Sequence, residues 1–329
     1  MQEGTHVERF FSLINETADL IASELKYPYI EAVAETGENL FHGEIHEEGL
    51  SETTIKLLKK KYSSLNLNQF KAEELRKAFQ LAILKGLKEA AHPNHQMTPD
   101  AVGLFLSYLV KKFLHKEKIR LLDPAVGTGN LLTTVLNDLE GIEVDSYGSD
   151  VDDLLLKLAL VTANLQQHPV QFYNQDSLQP LYVDPVDITI CDIPVGYYPN
   201  DEGAKNYQLK ADEGHSFAHH LFIEQSINYT LPGGYLFFII PNHLFESSQA
   251  PKLNAFLKEN VYIQGLFQLP VSLFKGEQHA KSIFILQKKS ENISPPKQAL
   301  LVNLPKFSNK QAMQSVIAQI DEWIIQNKG

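Results

Sequence analysis

Cysteine is almost absent from the sequence, in which Cys191 is the single thiol among 329 residues. One thiol cannot form a disulfide within the chain, so we expect a protein of a reducing compartment whose fold does not depend on disulfides. No apolar run approaches the roughly 20 residues that a membrane helix requires, and the first residues, MQEGTHVERF, lack the basic and apolar segments of a signal peptide. These absences predict a soluble, cytoplasmic protein without a membrane partner.

Basic residues are also scarce, since 29 Lys and Arg face 40 Asp and Glu and the net charge is −11. A protein that holds nucleic acid by bulk electrostatics usually carries a basic surplus, so any such contact here must be local. Residues 1–50 contain two basic and eleven acidic residues, whereas residues 51–90 contain nine basic and four acidic ones. Such a run is more often a solvated helix face than a binding surface, but residues 56–88 are the candidate contact for an acidic partner.

The hydrophobic pattern divides the chain into two zones. Up to about residue 91 the apolar residues recur at intervals of three and four, as in Phe10, Leu13 and Ile14, which predicts a helical domain over 1–91. After Pro93 and Asn94 short β-branched or aromatic runs alternate with amphipathic stretches, which predicts an α/β domain over 92–329 with a doubly wound, mostly parallel seven-stranded sheet. The predicted strands are 118–125, 143–150, 170–176, 186–194, 234–241, 263–270 and 282–289, and the predicted helices between them are 129–140, 152–167, 215–230 and 249–260.

A glycine-rich turn follows the first predicted strand, in the segment LLDPAVGTGNLL of residues 121–132. Glycine permits a positive φ and lets a ligand approach the backbone, and the following helix start presents free N–H groups. A dinucleotide fingerprint would need a third glycine where the chain has Leu132, so that interpretation is weak. Asp123 at the strand end can instead pair with a cationic amino group, and Asp150, at the end of the next strand, can accept hydrogen bonds from both ribose hydroxyls.

These residues resemble the motifs of class I S-adenosylmethionine (SAM) methyltransferases. The segment DPAVGTG resembles motif I in the form typical of amino-methylating DNA enzymes, Asp150 resembles the motif II acid, and Asp176 with Ser177 resembles motif III. Upstream, the segment QMTP of residues 96–99, which begins at Gln96, is similar to motif X. The resemblance implies a Rossmann-like fold and SAM as cofactor. The residues that it implies for cofactor binding are Met97, Thr98, Pro99, Asp123, Pro124, Ala125, Gly127, Thr128, Gly129, Asn130, Leu131, Asp150, Val151, Asp176, Ser177 and Asp192.

The fourth predicted strand ends in the tetrad Asp192-Ile193-Pro194-Val195, at the place where amino-methyltransferases carry [NDS]-P-P-[FYW]. The exocyclic amine of adenine is a poor nucleophile, and two acceptors, a side-chain oxygen and the following carbonyl, orient its N–H groups toward the methyl donor. The aromatic residue of the family motif stacks on the flipped base. Here Val195 replaces it, and Tyr197 or Tyr198 would have to supply the stacking. The resemblance therefore implies catalytic roles for Asp192, Ile193, Pro194, Val195 and Tyr197, beside the alternative of a plain strand-to-loop exit.

The similarity continues over residues 92–289 to the modification subunits of type I restriction systems, and the whole chain is most similar to the YtxK-like group. It implies an adenine-N6 DNA methyltransferase that needs a specificity partner protein, or its own helical domain, to select a DNA sequence. The candidate DNA contacts are Lys59, Lys60, Lys61, Lys71, Arg76 and Lys77.

Two alternatives stay open at the level of sequence, one in the acceptor and one in the activity. The acceptor could be RNA, a protein glutamine amide or a small amine, and the altered tetrad also fits a degenerate module that binds SAM without turnover.

His215, His219 and His220 share one predicted helix, but no further ligand follows at a convincing spacing, so packing is favoured and no metal site is predicted. His243, after the fifth predicted strand, could line the substrate pocket.

Overall fold

The computed structural model describes residues 5–89 and 97–328, and the first of these ranges is helical. It contains α1 (His6–Leu25), α2 (Tyr29–His42), α3 (Glu52–Tyr62) and α4 (Ala72–Glu89). Helix α1 begins with a capping box, in which the Thr5 hydroxyl and the Glu8 carboxylate each accept a backbone N–H of the other residue. Its apolar residues at intervals of three and four are buried, as the pattern predicts. The predicted domain boundary at residues 91 and 92, with Pro93 and Asn94, lies outside the described residues.

The second range is built on one sheet of eight strands flanked by helices. The strands are β1 (Lys118–Asp123), β2 (Glu143–Asp150), β3 (Val170–Asn174), β4 (Val186–Asp192), β5 (Thr230–Pro241), β6 (Val261–Gln268), β7 (Lys281–Lys288) and β8 (Leu300–Asn303). The helices are α5 (Asp100–Phe113), α6 (Asn130–Asp138), α7 (Asp153–Leu165), α8 (Asp201–Ala204), α9 (Ala218–Asn228), α10 (Ala250–Asn260) and α11 (Lys310–Lys328).

The strand order is β3-β2-β1-β4-β5-β7-β6-β8, and every neighbouring pair is parallel except the two that β7 makes with β5 and β6. The predicted α/β class and mostly parallel sheet are therefore confirmed. The predicted number of seven strands was one too low, because β8 is a four-residue edge strand whose short apolar run becomes a strand only by pairing with β6.

The topology places a crevice between β1 and β4. From β1 the chain winds outward through β2 and β3, and from β4 it winds the other way to β5, so the strand order reverses between these two neighbours. Ligands of doubly wound sheets bind at such a switch point, outside the carboxyl ends of the strands. Asp123 ends β1 and Asp192 ends β4, which puts both acids at this edge.

Two apolar cores cover the faces of the sheet, and a third holds the helical range. One core packs α5, α6 and α11 on the sheet, and another packs α9 and α10. The third joins α1, α2 and α4 to Leu155, Leu158 and Val161 of α7. The helical range is therefore packed directly on a helix that follows β2. No helix within the described ranges is both long and apolar enough to cross a bilayer.

Candidate active site

A cavity of about 550 Å³ opens at the carboxyl ends of β1, β2 and β4. This volume falls within the roughly 300–1,000 Å³ typical of small-molecule sites. Most of the predicted site residues line it, from both the cofactor and the catalytic sets: Met97, Thr98, Asp123, Ala125, Gly127, Thr128, Asn130, Leu131, Asp150, Val151, Asp192, Ile193, Pro194 and Val195. Folding thus brings residues from separate segments of the chain to one edge of the sheet.

The glycine turn forms the floor of this cavity. Gly127 and Gly129 have φ values of +52° and +75°, a region that side chains other than that of glycine rarely adopt. A Cβ on Gly129 would lie 3.0 Å from Ala159 of α7, whereas a Cβ on Gly127 would meet no atom within 4 Å. Gly129 therefore allows close helix packing, and Gly127 keeps space open beside the backbone.

Asp123 is a buried acid, with 1% of its surface exposed. Within the described residues, its carboxylate accepts a hydrogen bond from the backbone N–H of Ala125, at 3.1 Å. Burial, reinforced by the charges of Asp150 and Asp192, raises the pKa of Asp123 to about 8. An opposite charge beside this carboxylate would offset the cost of its burial.

Asp150 ties the glycine turn to the end of β2. Its carboxylate accepts the backbone N–H of Gly127 at 2.8 Å and that of Asp152 at 3.0 Å. Burial raises the pKa of Asp150 even though these N–H groups favour the charged form. A carboxylate has about four acceptor positions, which is more than these N–H groups occupy, so a further donor can still bind to it.

Asp192 is held at both carboxylate oxygens. The Thr98 hydroxyl donates to Oδ2 at 2.8 Å, and the Lys281 ammonium donates to Oδ1 at 2.6 Å. The following residue, Ile193, lines the cavity although its side chain is 2% exposed and packs in the core beneath α9. The tetrad thus offers the cavity one oriented carboxylate and the backbone beside it.

A second cavity, also about 550 Å³, adjoins the first one. It shares Met97, Asp192, His279 and Lys281 with the first cavity, and the predicted Pro99 lines it. Its remaining lining is mostly apolar and comes from α4, α5, β5 and the segment after β6: Leu84, Leu87, Lys88, Val102, Ile239, Leu269, Leu273, Phe274 and Lys275. Asp192 therefore lines both the more polar first cavity and the more apolar second one.

Several predicted residues line neither cavity. Pro124 and Gly129 belong to the segment of the glycine turn but are not among the lining residues, and Gln96 lies outside the described residues. Asp176 accepts the Tyr198 hydroxyl at 2.5 Å and the backbone N–H of Leu178 at 2.9 Å. The buried Ser177 hydroxyl bonds with that of Ser149, at 2.6 Å.

The two tyrosines after the tetrad also lie away from the lining. The Tyr197 ring is 64% exposed and stacks on Phe217, with centroids 5.0 Å apart and planes 15° apart. Tyr198 is buried by its contact with Asp176 and Gln179. Phe274 lines the second cavity, as Asp192 does, and supplies an aromatic ring there.

Sequence reasoning missed the contributions of the antiparallel strand. Because β7 runs opposite to its neighbours, its first residue, Lys281, lies at the edge where the parallel strands end. His279 and Gln278 precede it and also line the first cavity, as does Pro241, the last residue of β5. His243, which the sequence placed at the substrate pocket, lines the first cavity. The strand run at 282–289 was recognisable in the sequence, but its direction was not, and the direction decides which end faces the site.

The structure corrects one predicted DNA contact. The Arg76 side chain is fully buried and cannot face a polyanion. Lys61 and Lys77 are ion-paired with Glu16 and Glu73, respectively. The side chains of Lys59, Lys60 and Lys71 are exposed. A basic surface in this region would therefore be smaller than the sequence indicates.

Two protein-family models together match nearly the whole chain. Residues 8–87 match the YtxK N-terminal helical domain, and residues 86–325 match the N-6 DNA Methylase family. The sequence of "uncharacterized protein YtxK" from Bacillus subtilis (strain 168) is 55% identical over 325 residues, which cover 98% of this chain and 99% of that protein.

Solved structures share the architecture. A Listeria monocytogenes protein provisionally assigned as a class I SAM-dependent methyltransferase superposes with a TM-score of 0.91 at 46% identity, over 97% of this chain and 98% of that one. The methyltransferase subunit of a Streptococcus thermophilus type I restriction-modification system superposes with a TM-score of 0.66 at 16% identity, over 95% of this chain and 74% of that one. At the latter identity the likeness shows a common fold.

Proposed function

The chain belongs to the N-6 DNA methylase family and is a SAM-dependent methyltransferase, and we propose that it methylates the N6 amine of adenine in DNA. The observation that carries this proposal is the position of Asp192. Asp192 lines both cavities, and its carboxylate is held at both oxygens, by Thr98 and by Lys281. Alignment of an amine with a methyl donor requires a fixed hydrogen-bond acceptor that faces both the cofactor and the methylated substrate. Asp192 fits this role if the first cavity holds the cofactor and the second holds the substrate.

The first cavity fits SAM in its size and in the carboxylates that line it. Asp123 would pair with the ammonium of the methionine part, and Asp150 would accept from the ribose hydroxyls. The glycine turn leaves room beside the backbone, where a Cβ on Gly127 would intrude. When bound, the cofactor supplies an electrophilic methyl group on a sulfonium. The role of Asp176 near the adenine ring stays a prediction, since its carboxylate bonds to Tyr198.

The second cavity fits a planar, uncharged acceptor. Phe274 offers an aromatic surface in place of the one that Val195 does not provide, and Met97 and Leu87 line the same space. Stacking on one aromatic ring is worth about 1–3 kcal/mol per base. Asp192 would accept an N–H of the acceptor amine together with the Ile193 carbonyl, so that the nitrogen lone pair faces the methyl group.

The pairing of Asp192 with Lys281 bears on the charge of the acceptor. The ammonium at 2.6 Å already balances the carboxylate, so a protonated alkylamine would meet a like charge close by. A neutral N–H donor meets no such repulsion. The arrangement therefore favours an aromatic amine or a carboxamide over a small alkylamine, and a protein glutamine amide is the second candidate acceptor.

The test follows transfer of tritiated methyl groups from SAM into DNA, RNA and protein fractions of a deletion strain. We expect DNA to be labelled, and the Asp192→Ala variant to lose about 100-fold or more of the rate while it still binds SAM by calorimetry. Label in protein alone would replace the adenine proposal with the glutamine one. Absence of SAM binding by the wild-type protein would overturn the site itself.

A matched pair of variants tests the acceptor cavity. Phe274→Ala should raise KM for the acceptor about tenfold or more, since it removes the stacking surface of the second cavity. Tyr197→Ala is the control, because that ring stacks on Phe217 and lines neither cavity. The reverse order of the two effects would assign the stacking to Tyr197.

A further inference from the structure

Arg76 of α4 is buried in the contact between the helical range and the cofactor cavity. Its side chain has 0% exposure, and its guanidinium donates in three directions. Nε and Nη2 donate to Glu73 of the same helix, each at 2.7 Å. Nη2 also donates to Asp100 at the start of α5, at 2.5 Å, and Nη1 donates to Asn130 at the start of α6, at 2.7 Å. One side chain thus links three helices.

The contact with Asn130 determines how that amide is oriented. A guanidinium has only donors, so the atom of Asn130 that faces Arg76 must be its oxygen. The amide nitrogen then points toward the Thr98 carbonyl, which lies 3.4 Å away. Asn130 therefore connects the first residue of α6 to the segment that precedes α5.

Thr98 passes this connection to the tetrad. It is 7% exposed, and its hydroxyl donates to Asp192 Oδ2 at 2.8 Å. Thr98 and Asn130 both line the first cavity. A continuous series of contacts therefore leads from Arg76 in the helical range, through Asn130 and Thr98, to the carboxylate of Asp192, which lines both cavities.

We propose that Arg76 is a positioning residue of the active site, which orders Asn130 and Thr98 and through them the cofactor cavity and Asp192. The inference rests on the proposed function for the roles of that cavity and of Asp192. A buried ion pair is weak as a source of stability, since an apolar residue of similar volume often serves as well. The planar guanidinium of Arg76, in contrast, can hold three acceptor side chains in one geometry, which neither an apolar residue nor lysine can do.

Cofactor affinity of the full-length protein, measured by calorimetry with SAM, tests the inference. Arg76→Lys keeps the charge but cannot hold all three acceptors, and we expect the Kd to rise about tenfold, as for the loss of a hydrogen bond to a charged group. Lys85→Met is the matched control. Lys85 lies on the same helix but bonds to Asn15 and Asp19 of α1, and it lines neither cavity, so we expect an unchanged Kd.

A double-mutant cycle separates positioning from general stability. If Arg76 acts through Asn130, the Arg76→Lys/Asn130→Ala variant should bind SAM no more weakly than Asn130→Ala alone. Additive losses in Kd, or wild-type affinity of a folded Arg76→Lys variant, would overturn the inference.

Amide hydrogen exchange tests the same inference without cofactor, so a failure of the proposed function would be seen separately as wild-type protein that does not bind SAM. In Arg76→Lys we expect faster exchange in residues 97–103 and unchanged exchange in α1. If that variant does not fold, Asn130→Ala leaves Arg76 in place and should show the same local change. Unchanged exchange in residues 97–103 of Asn130→Ala would rule out the connection to Thr98.

Discussion

At the scale of single residues, the site contains acids whose burial makes ionisation cost free energy. Asp123 is 1% exposed, and its neighbours at the sheet edge, Asp150 and Asp192, are acids as well. The charge of Asp192 is balanced by Lys281, whereas no cation of the described residues forms an ion pair with Asp123. Asp123 is thus the acid whose charged form no neighbouring cation stabilises, and a cationic ligand would supply that stabilisation.

This cost predicts a pH-dependent gain in stability for Asp123→Asn. The pKa of about 8 exceeds the ordinary value of 3.8, so the folded protein binds a proton that the unfolded chain releases, and wild-type stability falls as the pH rises toward 8. Asparagine does not titrate. Thermal unfolding should therefore give the apo variant a Tm higher than wild type by about 2 °C or more at pH 8.5, with a smaller difference at pH 6. SAM affinity should fall, because an amide cannot neutralise an ammonium group. A Tm difference that does not change with pH would contradict the assignment.

At the scale of elements, the turn from β1 to α6 joins two different requirements in three residues. Gly127 faces the cavity, and Gly129 faces α7, where Ala159 leaves no room for a side chain. Helix α6 begins at Asn130 without a side-chain cap, so its first N–H groups stay available at the cavity. The turn thereby allows the close packing of α7 at Gly129 and leaves space beside the backbone at Gly127.

The two glycines should therefore respond differently to alanine. Both substitutions cost about 1 kcal/mol for the positive φ, but Gly129→Ala also forces Ala159 apart from the turn. We expect Gly129→Ala to lower the Tm more than Gly127→Ala does. We expect Gly127→Ala to lose SAM affinity at a near-normal Tm, because its methyl group enters the cavity. Calorimetry and thermal unfolding of the pair check this, and equal effects on both measurements would speak against the division of roles.

At the scale of the whole molecule, the helical range is part of the site as well as a neighbour of it. It shares an apolar core with α7, contributes Leu84 and Leu87 to the second cavity, and reaches Asn130 through Arg76. The net charge of −11 limits nucleic-acid contacts to local surfaces. The exposed Lys59, Lys60 and Lys71 are the remaining candidates of the predicted set.

Neutralising these lysines tests whether DNA approaches from the helical side. A Lys59→Gln/Lys60→Gln variant should bind DNA more weakly, and the slope of log K against log salt should fall by about one for each phosphate that the variant no longer neutralises. Lys306→Gln, an exposed position after β8, is the control and should leave the slope unchanged. If the double variant keeps the wild-type slope in a DNA-binding titration, DNA binds at another surface.

The features that the sequence determined by itself are local ones. The strand runs, the glycine turn, and the acids at the ends of β1 and β4 are written in contiguous residues, because periodicity and turn chemistry act over a few positions. The α/β class and the mostly parallel sheet could be predicted from them and are confirmed. The SAM cofactor was implied by the resemblance of these segments to methyltransferase motifs and is confirmed as well.

The tertiary structure decided what depends on packing between distant segments. Lys281 reaches Asp192 only because β7 runs antiparallel, and β8 exists only by pairing with β6. Arg76 looks like a surface cation in its charged segment, yet α5 and α6 bury it. Strand direction, edge pairing and burial are set by contacts between residues far apart in the chain, which no local pattern contains.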